Sequence, residues 1–264
     1  MNRTDPISVT VAEIEEKESV LSALPRKYRF AITVLIVFIL IAATSITLVV
    51  WEPKKKDLET LFQEKKQSVV YIDTDLSTGS GIVIAKDEST SCVVTNFHVI
   101  ENATSVTVMD YLGNAYEGTL CAMPVNDEDL CLLLIDTTKI PAIRSVKPYD
   151  EVKVGSDVFA IGHPVGQTYS LTEGIISAKR DERYLQTNTP ISSGNSGGPL
   201  FLEHTGELAG INTLASREAQ DEESVVQNLN FAERADIVYD RNTWNFTPGT
   251  PSSIQEALPN GRMQ

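Results

Sequence analysis

The chain has 264 residues, of which 42% are hydrophobic, and its formal net charge is −14. This hydrophobic fraction excludes wholesale disorder, and the acidity argues against nucleic acid or an anionic lipid surface as a partner. The three cysteines, Cys92, Cys121 and Cys131, show no Cys-x-x-Cys spacing, which argues against a zinc or redox site. We therefore expect a folded protein without a zinc or redox site and without a nucleic-acid partner, and a Cys121–Cys131 disulfide stays open.

The first predicted elements are a polar segment and an apolar one. Residues 1–29 are polar and are expected to form a mobile tail. Residues 30–51 carry no charge, and a helix rising about 1.5 Å per residue over that length crosses a bilayer core. A buried core helix and a cleaved signal peptide are the alternatives, but the segment has no polar face and is long for a signal peptide. We expect a single transmembrane helix over 30–51.

Short β-rich segments, separated by clusters of Gly, Asn, Asp and Pro, fill most of the chain beyond the apolar segment. Such segments without a long helical period are typical of an all-β sandwich or barrel. We expect a domain over 57–240 built of two six-stranded antiparallel β-barrels, the first over about 65–145 and the second over about 150–240. Residues 241–264 show no sustained strand pattern and are expected to form a C-terminal tail, in which one short helix around 254–258 stays open.

The glycine-rich sequence Gly194-Asn195-Ser196-Gly197-Gly198 has the composition that acyl transfer requires. A serine nucleophile needs an exposed hydroxyl on a tight turn and backbone N–H groups aimed at the developing oxyanion. Flanking glycines let the backbone turn sharply and let a substrate approach. An ordinary Gly/Ser/Asn turn is the alternative for this segment taken alone, so the assignment of Ser196 depends on a base and an acid elsewhere.

His98 is the best candidate for the base among the three histidines. It ends a strongly apolar segment, whereas His163 and His204 lie in loop and turn sequences. Asp129 is the best candidate for the acid that orients an imidazole, because it adjoins an apolar strand and can be partly buried. The order His98, Asp129, Ser196 is that of the chymotrypsin arrangement.

Seven segments make the chain resemble the HtrA (Deg) branch of the trypsin-like serine proteases. In chain order they are STGSGIVIA at 77–85, CVVTNFHVI at 92–100, DLCLLLID at 129–136, FAIGHPVG at 159–166, LTEGIISA at 171–178, QTNTPISSGNSGGPL at 186–200 and GELAGINTL at 206–214. The resemblance implies two perpendicular β-barrels with the active site in the cleft between them. It also implies endopeptidase activity without a metal or cofactor.

The resemblance gives each candidate residue a role. The implied catalytic residues are His98, Asp129 and Ser196. The implied oxyanion hole is formed at Gly194, Asn195 and Ser196, through the N–H groups of Gly194 and Ser196. The implied substrate-binding residues are Ile191, Ile211, Asn212, Thr213 and Leu214. His163 and Asn188 stand where the family usually has Asn and Asp.

The resemblance also sets expectations for the whole molecule. Basic residues flank both ends of 30–51, so charge alone does not orient the segment. From the family we expect a cytoplasmic N-terminus and a protease domain on the periplasmic or extracellular side. Family members often trimerise, which implies a homo-trimer. They commonly carry PDZ domains after the protease, and the residues beyond 240 are too few for one.

The sequence thus predicts a membrane-tethered serine endopeptidase that hydrolyses peptide bonds through a His-Asp-Ser triad and an acyl-enzyme. We expect it to act on proteins or peptides in protein quality control or regulated proteolysis. The alternative is a catalytically silent or zymogen-like relative that acts as a binding module or sensor.

Overall fold

The structure is a computed structural model that describes residues 25–50, 57–166, 169–213 and 229–258. These residues fall into two units that divide between Lys54 and Lys55, and each unit is treated by itself. Several expectations concern residues outside the described ranges. They are most of the polar tail 1–29, the end of the apolar segment 30–51, the substrate-binding candidate Leu214, and the end of the tail 241–264.

Helix α1, Arg26–Val50, is the regular element of the first unit. Large apolar side chains on its described part are exposed, from 44% for Val34 to 75% for Phe30. Within the described ranges, no helix reaches the combination of length and hydropathy that a membrane crossing demands. The transmembrane helix expected over 30–51 therefore stays a prediction.

The second unit opens with helix α2, Leu58–Lys65. Its first turn is capped by Asp57, whose Oδ1 accepts the Thr60 N–H at 2.8 Å, as N-terminal helix caps usually do. Leu61 on this helix is only 1% exposed and joins the main hydrophobic cluster. The helix is thus anchored on the β-sheets that follow it.

Seven strands from the first half of this unit belong to one antiparallel sheet. They are β1 Val69–Thr74, β2 Thr78–Lys86, β3 Ser91–Thr95, β4 Val106–Met109, β5 Ala115–Glu117, β6 Thr119–Pro124 and β7 Cys131–Ile135. The short helix α3, Phe97–Ile100, follows β3 directly. All five residues of β3 are buried, as expected for a central strand with neighbours on both sides.

Six strands from the second half close into an antiparallel barrel. They are β8 Asp157–Gly162, β9 Ser170–Arg180, β10 Tyr184–Thr187, β11 Pro199–Leu202, β12 Leu208–Thr213 and β13 Asn230–Arg234. Their order around the barrel is β10-β13-β12-β11-β8-β9. The connection from β10 to β11 contains the glycine-rich turn, so the barrel fixes both ends of that turn.

The segment expected as a C-terminal tail carries a short helix, α4 Ser252–Ala257, close to where one was left open, and also an unexpected strand, β14 Trp244–Phe246. Strand β14 pairs with β6, with Trp244 opposite Pro124. The first sheet therefore has eight strands, in the order β14-β6-β7-β3-β2-β1-β4-β5, where a six-stranded barrel was expected. A strand of three residues is too short to show an alternating pattern, which is why none was expected there.

One hydrophobic cluster runs through both sheets and includes Ile82 and Val94 of the first and Phe159 and Phe201 of the second. The rings of Phe159 and Phe201 stack with their centroids 5.3 Å apart. The expectation of an all-β fold with a β-barrel is confirmed. The three cysteines are buried and unpaired, so Cys121 and Cys131 form no disulfide in this structure.

Candidate active site

Strand pairing places His98 beside Asp129. Strands β3 and β7 are neighbours, with Thr95 opposite Cys131, so helix α3 after β3 lies next to the turn before β7. Asn96 joins the two segments, because its Nδ2 donates to the Asp129 carbonyl at 2.7 Å. The local geometry therefore comes from the sheet and from one buried amide side chain.

Three donors hold the Asp129 carboxylate. His98 Nδ1 lies 2.5 Å from Oδ2, and the His98 backbone N–H donates to Oδ1 at 3.0 Å. Thr213 Oγ1, from the second barrel, donates to Oδ2 at 3.3 Å. The orientation of the carboxylate is therefore set by residues from both sheets.

These contacts also set the protonation of the pair. Burial opposes ionisation of Asp129, but the hydrogen bonds from the side chain and backbone of His98 outweigh it, so the pKa of Asp129 lies below its usual value. An ionised carboxylate only accepts hydrogen bonds, so His98 Nδ1 must carry a proton. In neutral His98 the lone pair is then on Nε2, the arrangement that a general base needs.

The glycine-rich turn depends on left-handed backbone at Gly194, with φ +97°, and at Gly197, with φ +81°. A Cβ at Gly197 would lie 2.2 Å from Thr95 Oγ1 and 2.3 Å from the Ser80 carbonyl oxygen. Only glycine fits that position without displacing the first sheet. The Ser80 N–H in turn donates to the Ser196 carbonyl at 2.8 Å, which fixes the turn to strand β2.

Ser196 lies at the centre of this turn and is 2% exposed. Its Oγ has no hydrogen-bond partner among the residues that the structure describes. The bond that would join a catalytic serine to His98 is therefore not formed in this structure. Such bonds are often long or poorly aligned without substrate and tighten when one binds.

Some backbone N–H groups of the turn are hydrogen-bonded to carbonyls, and others are not. The Asn195 N–H donates to the Ser192 carbonyl at 3.0 Å, and the Gly197 N–H donates to the Asn212 carbonyl at 2.8 Å. Over the described part of the chain, the N–H groups of Gly194 and Ser196 make no such bond. Of the three residues expected at the oxyanion hole, Gly194 and Ser196 thus have N–H groups free to bind an oxyanion, and Asn195 does not.

Several of the expected substrate-binding side chains are buried or hydrogen-bonded to other groups of the protein. Ile211 is fully buried in the hydrophobic cluster. The Nδ2 of Asn212 donates to the Pro199 carbonyl at 3.1 Å, and Thr213 binds Asp129. Among the described candidates, Ile191 is the one whose side chain is partly exposed. Along β12, therefore, only backbone groups are candidates for substrate contact.

His163, a loop residue in a segment that the resemblance expects to position the site, is part of the support for the turn. It is fully buried, and its N–H donates to Ser80 Oγ at 3.2 Å. Ser80 Oγ donates to the Gly194 carbonyl at 2.7 Å and lies 2.9 Å from His163 Nδ1. Because the hydroxyl proton is used on Gly194, Nδ1 must be the donor to Ser80. The sequence does not reveal that His163 acts through Ser80, because this depends on contact with strand β2.

Burial lowers the pKa of His163 to about 4. Its ring lies between two tyrosines, with ring centroids 5.2 Å from Tyr71 and 4.6 Å from Tyr169. These aromatic neighbours offer an imidazolium little of the hydration it would have in water. His163 is thus a neutral hydrogen-bond donor at neutral pH. In the described ranges, no group of three or more His, Cys, Asp or Glu side chains is placed to hold a metal ion.

Comparison with known proteins finds one matching family model and several similar proteins. The family model of the trypsin-like peptidase domain matches residues 79–211. The serine protease Do-like HtrB of Bacillus subtilis is 34% identical over 167 residues, which cover 58% of this chain and 35% of that protein. The serine endoprotease DegS of Haemophilus influenzae is 33% identical over 173 residues, covering 61% and 48%.

A periplasmic relative and a solved structure extend the comparison. A probable periplasmic DegP-like serine endoprotease of Hahella chejuensis is 40% identical over 146 residues, covering 52% of this chain and 29% of that protein. The crystal structure of a serine endoprotease from Yersinia pestis superposes with a TM-score of 0.58 at 30% identity, covering 69% of this chain and 64% of that one. The chain spans less than half the length of the curated relatives it matches. The chain belongs to the trypsin-like peptidase family, as do these serine proteases of the HtrA and Deg types.

Proposed function

We propose that the chain is a serine endopeptidase in which Ser196 is the nucleophile, His98 the general base and Asp129 the residue that orients His98. The observation that carries the proposal is the double contact of Asp129 with the side chain and backbone of His98. That contact fixes the tautomer with a lone pair on Nε2, which is the form that removes a proton from a serine hydroxyl.

In the proposed reaction, Ser196 Oγ attacks the scissile carbonyl carbon and His98 Nε2 takes the hydroxyl proton. The carbonyl π electrons move to oxygen, and the N–H groups of Gly194 and Ser196 bind the resulting oxyanion. Collapse of the tetrahedral intermediate breaks the C–N bond, and His98 gives its proton to the leaving amine. Water then releases the acyl group by the same steps in reverse. The loss of one oxyanion donor typically lowers the rate by about 10²–10³.

The proposal is tested with the purified full chain and casein, an unfolded protein substrate. We expect cleavage by the wild type, none by Ser196→Ala, and covalent labelling of Ser196 by a fluorophosphonate probe. His204→Ala is a matched control, since His204 is an exposed residue of the β11–β12 turn. Absence of both cleavage and labelling in the wild type would remove the support for an enzyme.

The second candidate is a zymogen-like or silent protein that serves as a binding module or sensor. The unbonded, almost fully buried hydroxyl of Ser196 favours it, because the serine must rotate or gain access before it reacts. Labelling of Ser196 that occurs only after addition of an unfolded protein or peptide would support this candidate. Labelling at the same rate with and without added peptide would exclude the zymogen form.

We also propose that residues 30–51 tether the protease domain to a membrane, with a cytoplasmic N-terminus and an extracytoplasmic protease domain. The absence of charge over this segment supports the proposal, as does the similarity of the chain to a probable periplasmic serine endoprotease. After alkaline extraction of bacterial membranes, the full chain should remain in the pellet. The variant with Leu35→Arg and Ile39→Arg should move to the supernatant. An unchanged distribution between the two proteins would contradict the tether.

The physiological role that we propose is cleavage of misfolded or specific proteins near that membrane, by a homo-trimer of the kind the family often forms. Sedimentation of the full chain in detergent distinguishes a trimer from a monomer. Accumulation of specific uncleaved proteins in cells that express Ser196→Ala would identify substrates, and a proteome unchanged by that variant would argue against the role.

A further inference from the structure

A buried ion pair beside the candidate active site has no role in the reaction described above. Glu233, in strand β13, is fully buried. Arg183, in the turn between β9 and β10, binds both of its carboxylate oxygens, with Nε at 3.1 Å from Oε1 and 2.9 Å from Oε2 and Nη2 at 2.6 Å from Oε1. A carboxylate this deeply buried requires such a partner.

Both members of the pair also contact the turn that carries Asp129. The Asp129 N–H donates to Glu233 Oε1 at 3.4 Å. Arg183 Nη2 donates to the Asp127 carbonyl at 2.7 Å. The pair belongs to the six-stranded barrel, whereas the 127–129 turn precedes strand β7 of the first sheet. It therefore fastens the candidate catalytic acid across the junction between the two sheets.

The turn that carries Arg183 is itself held in place. Asp181 and Glu182 adopt left-handed backbone, with φ +52° and +53°. Arg234 stabilises this conformation, because its N–H donates to the Arg183 carbonyl at 2.9 Å and its Nη1 donates to the Glu182 carbonyl at 2.9 Å. The turn that carries Arg183 therefore has a restricted backbone conformation, which directs its guanidinium toward Glu233.

We propose that Arg183 and Glu233 are positioning residues for peptide-bond hydrolysis, and that they act by holding the 127–129 turn so that Asp129 meets His98. The inference rests on the proposed function of the His98–Asp129–Ser196 site. Neither residue contacts the reacting atoms; both act through Asp129. A displacement of about 1 Å in a catalytic group can lower a rate about 10²-fold. Contacts from the first sheet alone would restrict the 127–129 turn, and with it Asp129, less than contacts from both sheets do.

A purely structural role is the competing explanation. It is weakened by the energetics of buried ion pairs, which often contribute little more stability than well-packed apolar residues would. The chain also supplies a matched comparison in Asp110, a second buried carboxylate, whose Oδ1 accepts the N–H groups of Leu112 and Asn114, each at 2.9 Å. Its Oδ2 accepts from Asn114 Nδ2 and from the Tyr116 hydroxyl, so its side-chain hydrogen bonds stay within the β4–β5 hairpin.

The test compares Glu233→Gln with the control Asp110→Asn in the full chain, well below the melting temperature of each variant. Both substitutions replace a buried carboxylate by its amide. We expect Glu233→Gln to lower kcat about tenfold or more with KM within about twofold, and Asp110→Asn to keep kcat within about twofold. Equal kcat values in the two variants would overturn the proposal. If Glu233→Gln does not fold, Arg183→Met with Glu233→Leu removes both charges and should show the same loss of kcat.

A second measurement does not depend on activity. Amide hydrogen exchange of the peptide that contains residues 126–130 should be faster in Glu233→Gln than in the wild type, and unchanged in Asp110→Asn. Unchanged exchange in Glu233→Gln would show that the pair does not hold the turn. If the wild type neither cleaves nor labels, the proposed function fails, and faster exchange would still support the positioning of Asp129.

Discussion

At the scale of the residue, Asp129 depends on contacts from distant parts of the chain. His98 is 31 positions away, Thr213 is 84 positions away and Glu233 is 104 positions away. Together these contacts restrict three atoms of the residue: His98 binds both carboxylate oxygens, Thr213 also binds Oδ2, and Glu233 accepts the backbone N–H. The carboxylate is therefore oriented before any substrate arrives, which is the condition for holding an imidazole in one tautomer.

Replacement of Asp129 by Asn tests this orientation. Since the amide presents an NH₂ donor where the carboxylate only accepts, His98 should adopt the wrong tautomer and kcat should fall about 10³–10⁴-fold. Steady-state kinetics on a peptide substrate measures the effect. Asp127→Asn is the control, because the Asp127 side chain is exposed and only its carbonyl contacts Arg183. A comparable loss in both variants would contradict the role of Asp129.

Replacement of Gly197 by Ala tests the backbone of the turn. The left-handed φ costs about 1–2 kcal/mol for a residue with a Cβ, and the clash with Thr95 and Ser80 adds about 1–3 kcal/mol. Gly249→Ala is the matched control, since Gly249 has φ +95° and nothing lies within 4 Å of its Cβ position. Urea denaturation should show a clearly larger loss of unfolding free energy for Gly197→Ala. Equal losses would mean that the contact with the first sheet is unimportant.

At the scale of the element, strand β14 changes the first sheet from what the sequence predicts. Its three residues extend that sheet at the β6 edge, so residues near the C-terminal end of the described chain help to form the N-terminal half of the fold. Trp244 is the anchor, with 5% exposure and an indole N–H that donates to the Val238 carbonyl at 3.1 Å. Hydrophobic burial and one hydrogen bond thus replace the strand length that would otherwise be needed.

Replacement of Trp244 by Ala should therefore lower the free energy of unfolding by about 3–5 kcal/mol, through the lost burial and the cavity left behind. Chemical denaturation followed by circular dichroism measures it. Asn245→Ala, at the exposed neighbouring position, should change stability by no more than about 0.5 kcal/mol. A loss under about 1 kcal/mol for Trp244→Ala would show that β14 contributes little to the first sheet.

At the scale of the whole molecule, the junction between the two sheets consists of specific polar contacts around a shared hydrophobic cluster. The His163 ring contacts Ser80, which in turn binds the glycine-rich turn. The Arg183–Glu233 pair contacts the 127–129 turn. Several of these groups titrate, so the stability of the junction depends on pH.

His163 should make the protein less stable in acid. Its folded pKa, about 4, lies below the value of about 6.5 expected in the unfolded chain. The unfolded state therefore binds the proton more tightly, and unfolding becomes easier as the pH falls from about 6.5 to about 4. Between pH 7.5 and pH 5 the contribution of this group is about 2 kcal/mol.

The measurement is urea denaturation of the wild type and of His163→Asn across this pH range. Asparagine keeps an N–H donor near Ser80 and does not titrate, so its pH–stability curve should be flatter by about that amount. His204→Asn, in an exposed turn, is the control and should leave the slope unchanged. Parallel curves for the wild type and His163→Asn would contradict the assignment.

The sequence by itself determined the all-β class, the glycine-rich turn around Ser196, and His98 and Asp129 as its candidate partners. These features are encoded locally: strand patterns repeat every two residues, and the turn requires glycine at positions that the sequence displays. Only the tertiary structure decided that the Asn195 N–H is hydrogen-bonded within the turn and that the side chains along β12 contact other protein groups. It also decided that β14 completes the first sheet.

Only the tertiary structure, too, placed His163, Arg183 and Glu233 around the site. A buried polar side chain must find a partner, but its identity depends on which segments meet, and those segments lie tens of residues apart. Neither hydrophobic periodicity nor a short motif carries that information. The sequence therefore specified the candidate catalytic groups, and folding supplied the buried contacts that hold them in position.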